Sequence, residues 1–137
     1  MSRCVIDASV IGPLLFQDEA DDLIAVLPDI LARGEAIVPG HWRLEVANQV
    51  VMGARRGRAR NVEVALILRA IAALPVEVDP ATGDHAWTTT HALAVRHGLT
   101  IYDAAYLELA MRMSIPLATA DTDLIYAANT EAVPLIT

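Results

Sequence analysis

Short apolar runs alternate with longer stretches of helical periodicity along almost the whole chain, and this alternation restricts the possible folds more than any other feature. It predicts β-α units that build an α/β protein, with a mainly parallel sheet between helices. The apolar runs predict five strands, at residues 4–6, 36–38, 76–78, 116–119 and 132–136. The stretches between them predict helices at residues 18–32, 41–56, 61–74, 81–97, 101–113 and 122–128.

The ends of these predicted helices carry signals of their own. Gly34, Gly57 and Gly98 stand where a helix would end in a left-handed residue. Asp79 followed by Pro80 is typical of an N-cap and a first helical position, so it predicts a helix from residue 81. The stretch 62–74 is apolar on almost every side, which indicates either an inner packing position or an interface with a second chain.

Length and cysteine content indicate one domain without disulfides. The 137 residues are enough to bury a core unaided, and we expect a single domain over residues 1–137. A lone cysteine, Cys4, allows no internal bridge and is compatible with a reducing cytoplasm. Since no apolar stretch is long enough for a bilayer and Asp7 and Pro13 interrupt any leader pattern, we expect a cytoplasmic protein without membrane contact.

The basic residues are few and all of one kind. All ten are arginine, and the net charge is −7. Without lysine the chain has no P-loop and no Schiff-base chemistry. The acidic balance also argues against a broad basic surface for nucleic acid. One cluster remains, and it either stabilises a helix C-terminus or contacts an RNA backbone; it consists of Arg55, Arg56, Arg58 and Arg60.

Four acids are placed to meet at one edge of the predicted sheet. Asp7 directly follows the first strand and Asp121 follows the fourth. Glu45 lies one turn into the helix after the second strand, and Asp103 lies at the start of the fifth helix. In open α/β sheets, ligands bind beyond the carboxyl ends of the strands, so this edge is the candidate site.

Each acid except Asp7 also has a simple structural explanation. Asp103 fits a capping box with Thr100, Asp121 fits the N-cap of the last helix, and Glu45 fits an exposed helical position. Asp7 stands between a buried strand and a further apolar run, where no solvent-facing role explains it.

Electrostatics limits what four neighbouring carboxylates can do. Two of them ~4 Å apart repel by roughly 4 kcal/mol at an effective dielectric of ~20. Either some are protonated or a divalent cation lies among them, and oxygen ligands favour Mg²⁺ or Mn²⁺. Zinc is not indicated, since His85, His91 and His97 are spaced around different sides of a helix. Such a magnesium site is typical of phosphoryl chemistry.

Four segments of the chain together resemble a known family. They are residues 5–10 (VIDASV), 38–48 (VPGHWRLEVAN), 102–110 (YDAAYLELA) and 117–121 (LATAD). In this order they are similar to the PIN domain, and more narrowly to VapC-type toxin ribonucleases of toxin-antitoxin pairs. The resemblance implies an α/β/α sandwich with a five-stranded sheet of order 3-2-1-4-5. It also implies cleavage of single-stranded RNA, a homodimer and a cognate antitoxin.

The resemblance also implies roles for particular residues. Asp7, Glu45, Asp103 and Asp121 match the family's acidic residues, here called the acidic quartet, which would bind one or two Mg²⁺ or Mn²⁺ ions. We expect Asp7 and Asp103 to be the direct ligands, and we keep Asp121 rather than Asp123.

Three further residues are candidates for a supporting role. Ser9 and Thr119 either donate a hydroxyl to a carboxylate or simply form turns. Asn48 shares a helix face with Glu45 and is expected to orient it.

The function we expect is that of a metal-dependent endoribonuclease, and there are two alternatives. A non-catalytic PIN-like module would bind RNA or a partner protein, and the complete quartet argues against it. A phosphatase with an aspartate nucleophile would need a second acid two residues after Asp7, where Ser9 stands.

Overall fold

Apolar runs form a parallel sheet at the centre of the molecule. The computed structural model describes residues 3–12, 22–57 and 61–136. Within them β1 (Cys4–Ile6) pairs with β2 (Ala36–Val38) on one side and with β4 (Leu117–Ala118) on the other. β3 (Glu77–Val78) pairs with β2, so the order is β3-β2-β1-β4 and every neighbouring pair is parallel.

The predicted fifth strand is present only as a short contact. Residues 132–136 contribute one parallel bridge, between Leu117 and Leu135. Two backbone hydrogen bonds flank it, from Leu117 N to the Pro134 carbonyl at 2.9 Å and from Ile136 N to the Leu117 carbonyl at 3.0 Å. The described residues therefore form four strands rather than five, with the bridge beside β4, where the expected order 3-2-1-4-5 has its last strand.

Helices cover the sheet on both faces. Because parallel crossovers are right-handed, connections that run in opposite directions along the sheet lie on opposite faces. The helices between β1 and β3 therefore cover one face, and those after β3 cover the other. In chain order they are α1 (Asp22–Ala32), α2 (Trp42–Arg55), α3 (Asn61–Ala72), α4 (Thr89–His97), α5 (Ile101–Met113) and α6 (Thr122–Thr130). The predicted helix start at residues 18–21 lies outside the described residues.

The helix predicted from residue 81 begins later than expected, and that prediction is wrong. The chain first makes a 3₁₀ turn at Gly83–His85, and α4 starts only at Thr89. The Asp79 side chain accepts hydrogen bonds from Ala81 N at 3.1 Å and Thr82 Oγ1 at 3.0 Å. These bonds close a turn instead of capping a helix.

The glycine signals for helix ends are confirmed. Gly98 follows α4 in the left-handed conformation, with φ of 63°. Gly34 and Gly57 also have positive φ, at 69° and 74°. A side chain at these positions would be strained, which explains why glycine occupies them.

Two helices differ in how far they are buried. In α5 the stretch from Ala104 to Ala110 is buried throughout, because this helix is apolar on nearly all sides and packs against β1 and α4. The apolar α3 instead leaves Leu66 and Leu68 about half exposed, so inner packing does not explain its composition. None of the helices in the described ranges has both the length and the hydropathy that a bilayer crossing requires.

Candidate functional site

Asp7 is the buried centre of the site. It follows β1, and its N–H donates to the Ala118 carbonyl at 2.9 Å, which ties it to the end of β4. Its side chain is 4% exposed, and Oδ2 accepts hydrogen bonds from Ser9 Oγ and Thr119 Oγ1, both at 2.7 Å. Burial raises the pKa of Asp7 above its ordinary value, although the bonds from Thr119 and Ser9 oppose the rise.

The same hydroxyls join the turns after β1 and β4. Ser9 Oγ accepts from Ala120 N at 3.0 Å, and Thr119 Oγ1 accepts from Asp121 N at 3.1 Å. Asp121 then caps α6, with its Oδ1 accepting from Leu124 N at 3.0 Å. The structural role considered for Asp121 is therefore present, in addition to its position beside Asp7 at the carboxyl edge of the sheet.

Glu45, in the first turn of α2, is held by two neighbouring side chains. Tyr106 Oη donates to its Oε1 at 2.5 Å, and His41 Nε2 lies 3.1 Å from the same oxygen. Burial raises the pKa of Glu45, but the bonds from His41 and Tyr106 outweigh it and hold the pKa below its ordinary value. The Glu45 carboxylate is thus kept ionised and held in one orientation.

Asp103, at the start of α5, is affected by the charges of the other three acids. Its N–H donates to Thr100 Oγ1 at 3.1 Å, so Thr100 caps α5 as expected. Its pKa is raised to about 6, first by burial and then by the negative charges of Asp7, Asp121 and Glu45. All three of the other acids are therefore within electrostatic range of Asp103.

The arrangement suits a hard cation in its chemistry but is not a closed set of ligands. Among residues 3–12, 22–57 and 61–136, no three histidine, cysteine or acidic side chains are close enough to hold one ion. The donors that converge are all carboxylate oxygens, which match Mg²⁺ or Mn²⁺.

Some contacts in the site were not predicted, although the sequence spacing could have suggested them. Tyr106 follows Asp103 by three residues and His41 precedes Glu45 by four, spacings that share a helix face. Asn48, expected to orient Glu45, is exposed, and in the described part of the chain the Glu45 carboxylate accepts a hydrogen bond from Tyr106 and has His41 Nε2 beside it.

The arginine cluster is only partly described. Arg55 lies in the last turn of α2 and Arg56 follows it, which is the position expected for stabilising a helix C-terminus. Arg58 and Arg60 lie outside the described residues.

Comparison with known proteins gives a consistent result. The family model of the PIN domain matches residues 4–129. Ribonuclease VapC3 of Pyrobaculum aerophilum is 31% identical over 130 residues, which are 89% of this chain and 92% of that protein.

Three solved structures share the fold. PAE2754 from Pyrobaculum aerophilum has a TM-score of 0.67 at 22% identity, over 98% of this chain and 90% of that one. FitAcB from Neisseria gonorrhoeae has a TM-score of 0.66 at 14% identity, over 98% and 96%. VapC20 of Mycobacterium tuberculosis, a toxin that cleaves the sarcin-ricin loop, has a TM-score of 0.57 at 17% identity, over 90% and 94%. At these identities the likeness concerns the fold alone.

Proposed function

Since this chain belongs to the PIN domain family, we propose that it is a metal-dependent endoribonuclease that cleaves single-stranded RNA, as the toxin of a toxin-antitoxin pair. One observation carries the proposal: Thr119 Oγ1 donates to Asp7 and accepts from Asp121 N, so the turns after β1 and β4 hold two of the four acids together at the carboxyl edge of the sheet. The raised pKa of Asp103, to which the negative charges of the other three acids contribute, is consistent with this. Four converging carboxylates are costly for the fold, and a function that needs a cation there explains them.

Within this proposal, Asp7 and Asp103 are the direct ligands of Mg²⁺ or Mn²⁺, and Glu45 and Asp121 complete the site. A bound cation supplies positive charge for the phosphodiester and for the attacking water. Ser9 and Thr119 fix the orientation of Asp7 through its Oδ2. Tyr106 and His41 keep Glu45 ionised, so that it is able to accept a hydrogen bond from water.

The proposed partners follow from the relatives and from one exposed surface. A cognate antitoxin is the partner suggested by the likeness to Ribonuclease VapC3. The apolar α3, which leaves Leu66 and Leu68 about half exposed, supports a homodimer, because burying such apolar surface against a second copy is favourable. We place the protein in the cytoplasm, where RNA and antitoxin are both available.

The test is metal-dependent cleavage of a pool of single-stranded RNA by the purified protein. We expect cleavage with Mg²⁺ or Mn²⁺, none with EDTA, and none for Asp7→Asn or Asp103→Asn. Asp121→Asn is expected to be impaired, whereas Asp123→Asn, an exposed acid in the same turn of α6, is the matched control.

Two results would contradict the proposal. Full activity of Asp7→Asn would show that the Asp7 carboxylate is not needed for cleavage. A wild-type protein that binds RNA without cleaving it under any metal condition would favour the non-catalytic module.

A further inference from the structure

A groove opens directly beside the acidic quartet. It has a volume of about 350 Å³ and lies between the first turns of α2 and the start of α5. Its lining residues are His41, Leu44, Glu45, Asn48, Gln49 and Tyr102. Glu45 belongs to both the groove and the quartet, so the two sites are continuous.

One wall of the groove is an open aromatic ring in a fixed position. Tyr102 precedes Asp103 in α5, and 61% of its surface is exposed. The His41 ring meets it edge-on, with centroids 5.6 Å apart and an interplanar angle of 61°. His41 is itself packed against the buried Tyr106, with centroids at 5.2 Å. The contact with His41 therefore holds the Tyr102 ring in place, while most of the Tyr102 surface is exposed to solvent.

The wall of the groove formed by α2 combines an apolar and an amide side chain. Leu44 is 76% exposed and lines the groove with its apolar side chain. Asn48 is exposed one turn further along the same helix and offers both a donor and an acceptor. Gln49 anchors this wall, since its Nε2 donates to the Ala8 carbonyl at 2.7 Å, next to Asp7.

We propose that this groove binds one nucleobase of the single-stranded RNA, stacked on Tyr102 and hydrogen-bonded at its edge by Asn48. The inference rests on the proposed function, because it requires a phosphate of the same strand at the quartet. Single-stranded RNA is recognised by bases stacked on aromatic side chains and read at their edges by polar ones. The Glu45 carboxylate in the wall disfavours a phosphate inside the groove, whereas a neutral base carries no such penalty.

The first test measures binding of a single-stranded oligonucleotide that carries 2-aminopurine, in EDTA so that no cleavage is expected. Stacking on Tyr102 is expected to quench the fluorescence. Tyr102→Ala is expected to weaken binding by about tenfold and to abolish the quenching, as loss of one base-aromatic stack does. Tyr102→Phe, which keeps the ring, restores both. The matched control is Tyr126→Ala, an exposed tyrosine on α6 that does not line the groove.

An abasic nucleotide makes the test specific for a base. When an abasic nucleotide replaces the 2-aminopurine nucleotide, wild type and Tyr102→Ala should bind the oligonucleotide with equal affinity. Asn48→Ala should change which base is preferred at that position in a sequenced pool of cleaved RNA. Equal binding and equal quenching for wild type and Tyr102→Ala would overturn the inference.

The outcomes separate this inference from the function on which it rests. If the wild type cleaves RNA and Tyr102→Ala cleaves it with the same KM at the same positions, the base subsite is wrong and the nuclease stands. If the wild type neither binds nor cleaves RNA, the proposed function fails. If Tyr102→Ala loses affinity only for the antitoxin, the groove is a protein contact and the inference is wrong.

Discussion

The orientation of Asp7 depends on two hydroxyl groups that follow different strands. Ser9 and Thr119 both donate to Asp7 Oδ2 at 2.7 Å. Thr119→Val keeps the shape but removes one donor, and we expect cleavage to slow by roughly 10–100-fold, with more Mg²⁺ needed for half-maximal rate. The measurement is the initial cleavage rate across a Mg²⁺ titration.

Thr130→Val is the control for this change. Thr130 Oγ1 also donates a hydrogen bond, to the Tyr126 carbonyl at 3.0 Å, but on the exposed side of α6. A Thr119 variant no slower than the Thr130 variant would show that the hydroxyl on Asp7 has no part in the reaction.

Tyr106 has the corresponding role for Glu45. Tyr106→Phe removes the donor at 2.5 Å and leaves the buried ring in place. Because that bond helps to keep the pKa of Glu45 low, we expect the pKa to rise and the cleavage rate to fall by roughly 10–100-fold. The rate between pH 5 and 8 measures this, with Tyr126→Phe as the control. An unchanged pH profile would contradict the assignment.

Sequence analysis predicted the supporting residues that lie close in sequence to the acids, but not the one that reaches the site from another helix. Ser9 and Thr119 were named because they lie near Asp7 and Asp121 in sequence. The bond between Tyr106 and Glu45 joins positions 61 residues apart, and it exists only because α5 packs near α2. The spacing of Tyr106 and Asp103 indicates only that they share a face of α5, and it does not indicate that Tyr106 reaches Glu45 on another helix.

At the scale of elements, a long-range ion pair explains the wrongly predicted start of α4. Arg112 Nη2 lies 2.5 Å from Asp79 Oδ2, and Arg112 Nε donates to Glu108 Oε2 at 2.8 Å. With its carboxylate held by Arg112 and by the turn at Thr82, Asp79 does not cap a helix. Asp79-Pro80 is a common start of a helix, but the ion pair that competes for Asp79 comes from Arg112, 33 residues away, and a local pattern does not indicate it.

Removing Arg112 from these two ion pairs should destabilise the fold strongly. Asp79 and Glu108 have side chains only 5% and 3% exposed, and both share Arg112. Arg112→Met would leave two buried carboxylates unpaired, so we expect the free energy of unfolding to fall by about 3 kcal/mol or more. Urea denaturation measures it. Arg96→Met, which removes an exposed arginine from Glu131, should cost less than about 1 kcal/mol. Equal losses in the two variants would contradict this account.

At the scale of the whole molecule, the strand pattern predicted the α/β class, and the order 3-2-1-4-5 came from the family resemblance. Periodicity does not specify which strands are neighbours. The fifth strand is not confirmed, but residues 132–136 make a parallel bridge to Leu117 that is consistent with it. The position of the site followed from topology, since β2 and β4 flank β1 and the strand order reverses there.

That topology concentrates negative charge at one edge, which has a consequence for the whole fold. The pKa of Asp103 is raised from 3.8 to about 6, and the pKa of Asp7 is raised as well. A raised pKa means stability that is fully present below the unfolded value and lost as the pH rises through the folded one. The metal-free protein should therefore melt at a higher temperature at pH 5 than at pH 7.5, and Asp7→Asn should raise the melting temperature at pH 7.5.

Calorimetry of the metal-free protein and two variants isolates this effect. Asp103→Asn should reduce the gain in melting temperature between pH 7.5 and pH 5, whereas Asp123→Asn should keep it. The groups with lowered pKa values, Glu45, Asp79 and Glu131, lose their contribution only at lower pH, below this window. Mg²⁺ should stabilise the wild type more at pH 7.5 than at pH 5, because protons and cation compete for the same oxygens. A wild-type melting temperature that falls steadily from pH 7.5 to 5, with no difference from Asp103→Asn, would mean that the four carboxylates do not repel one another in the folded protein.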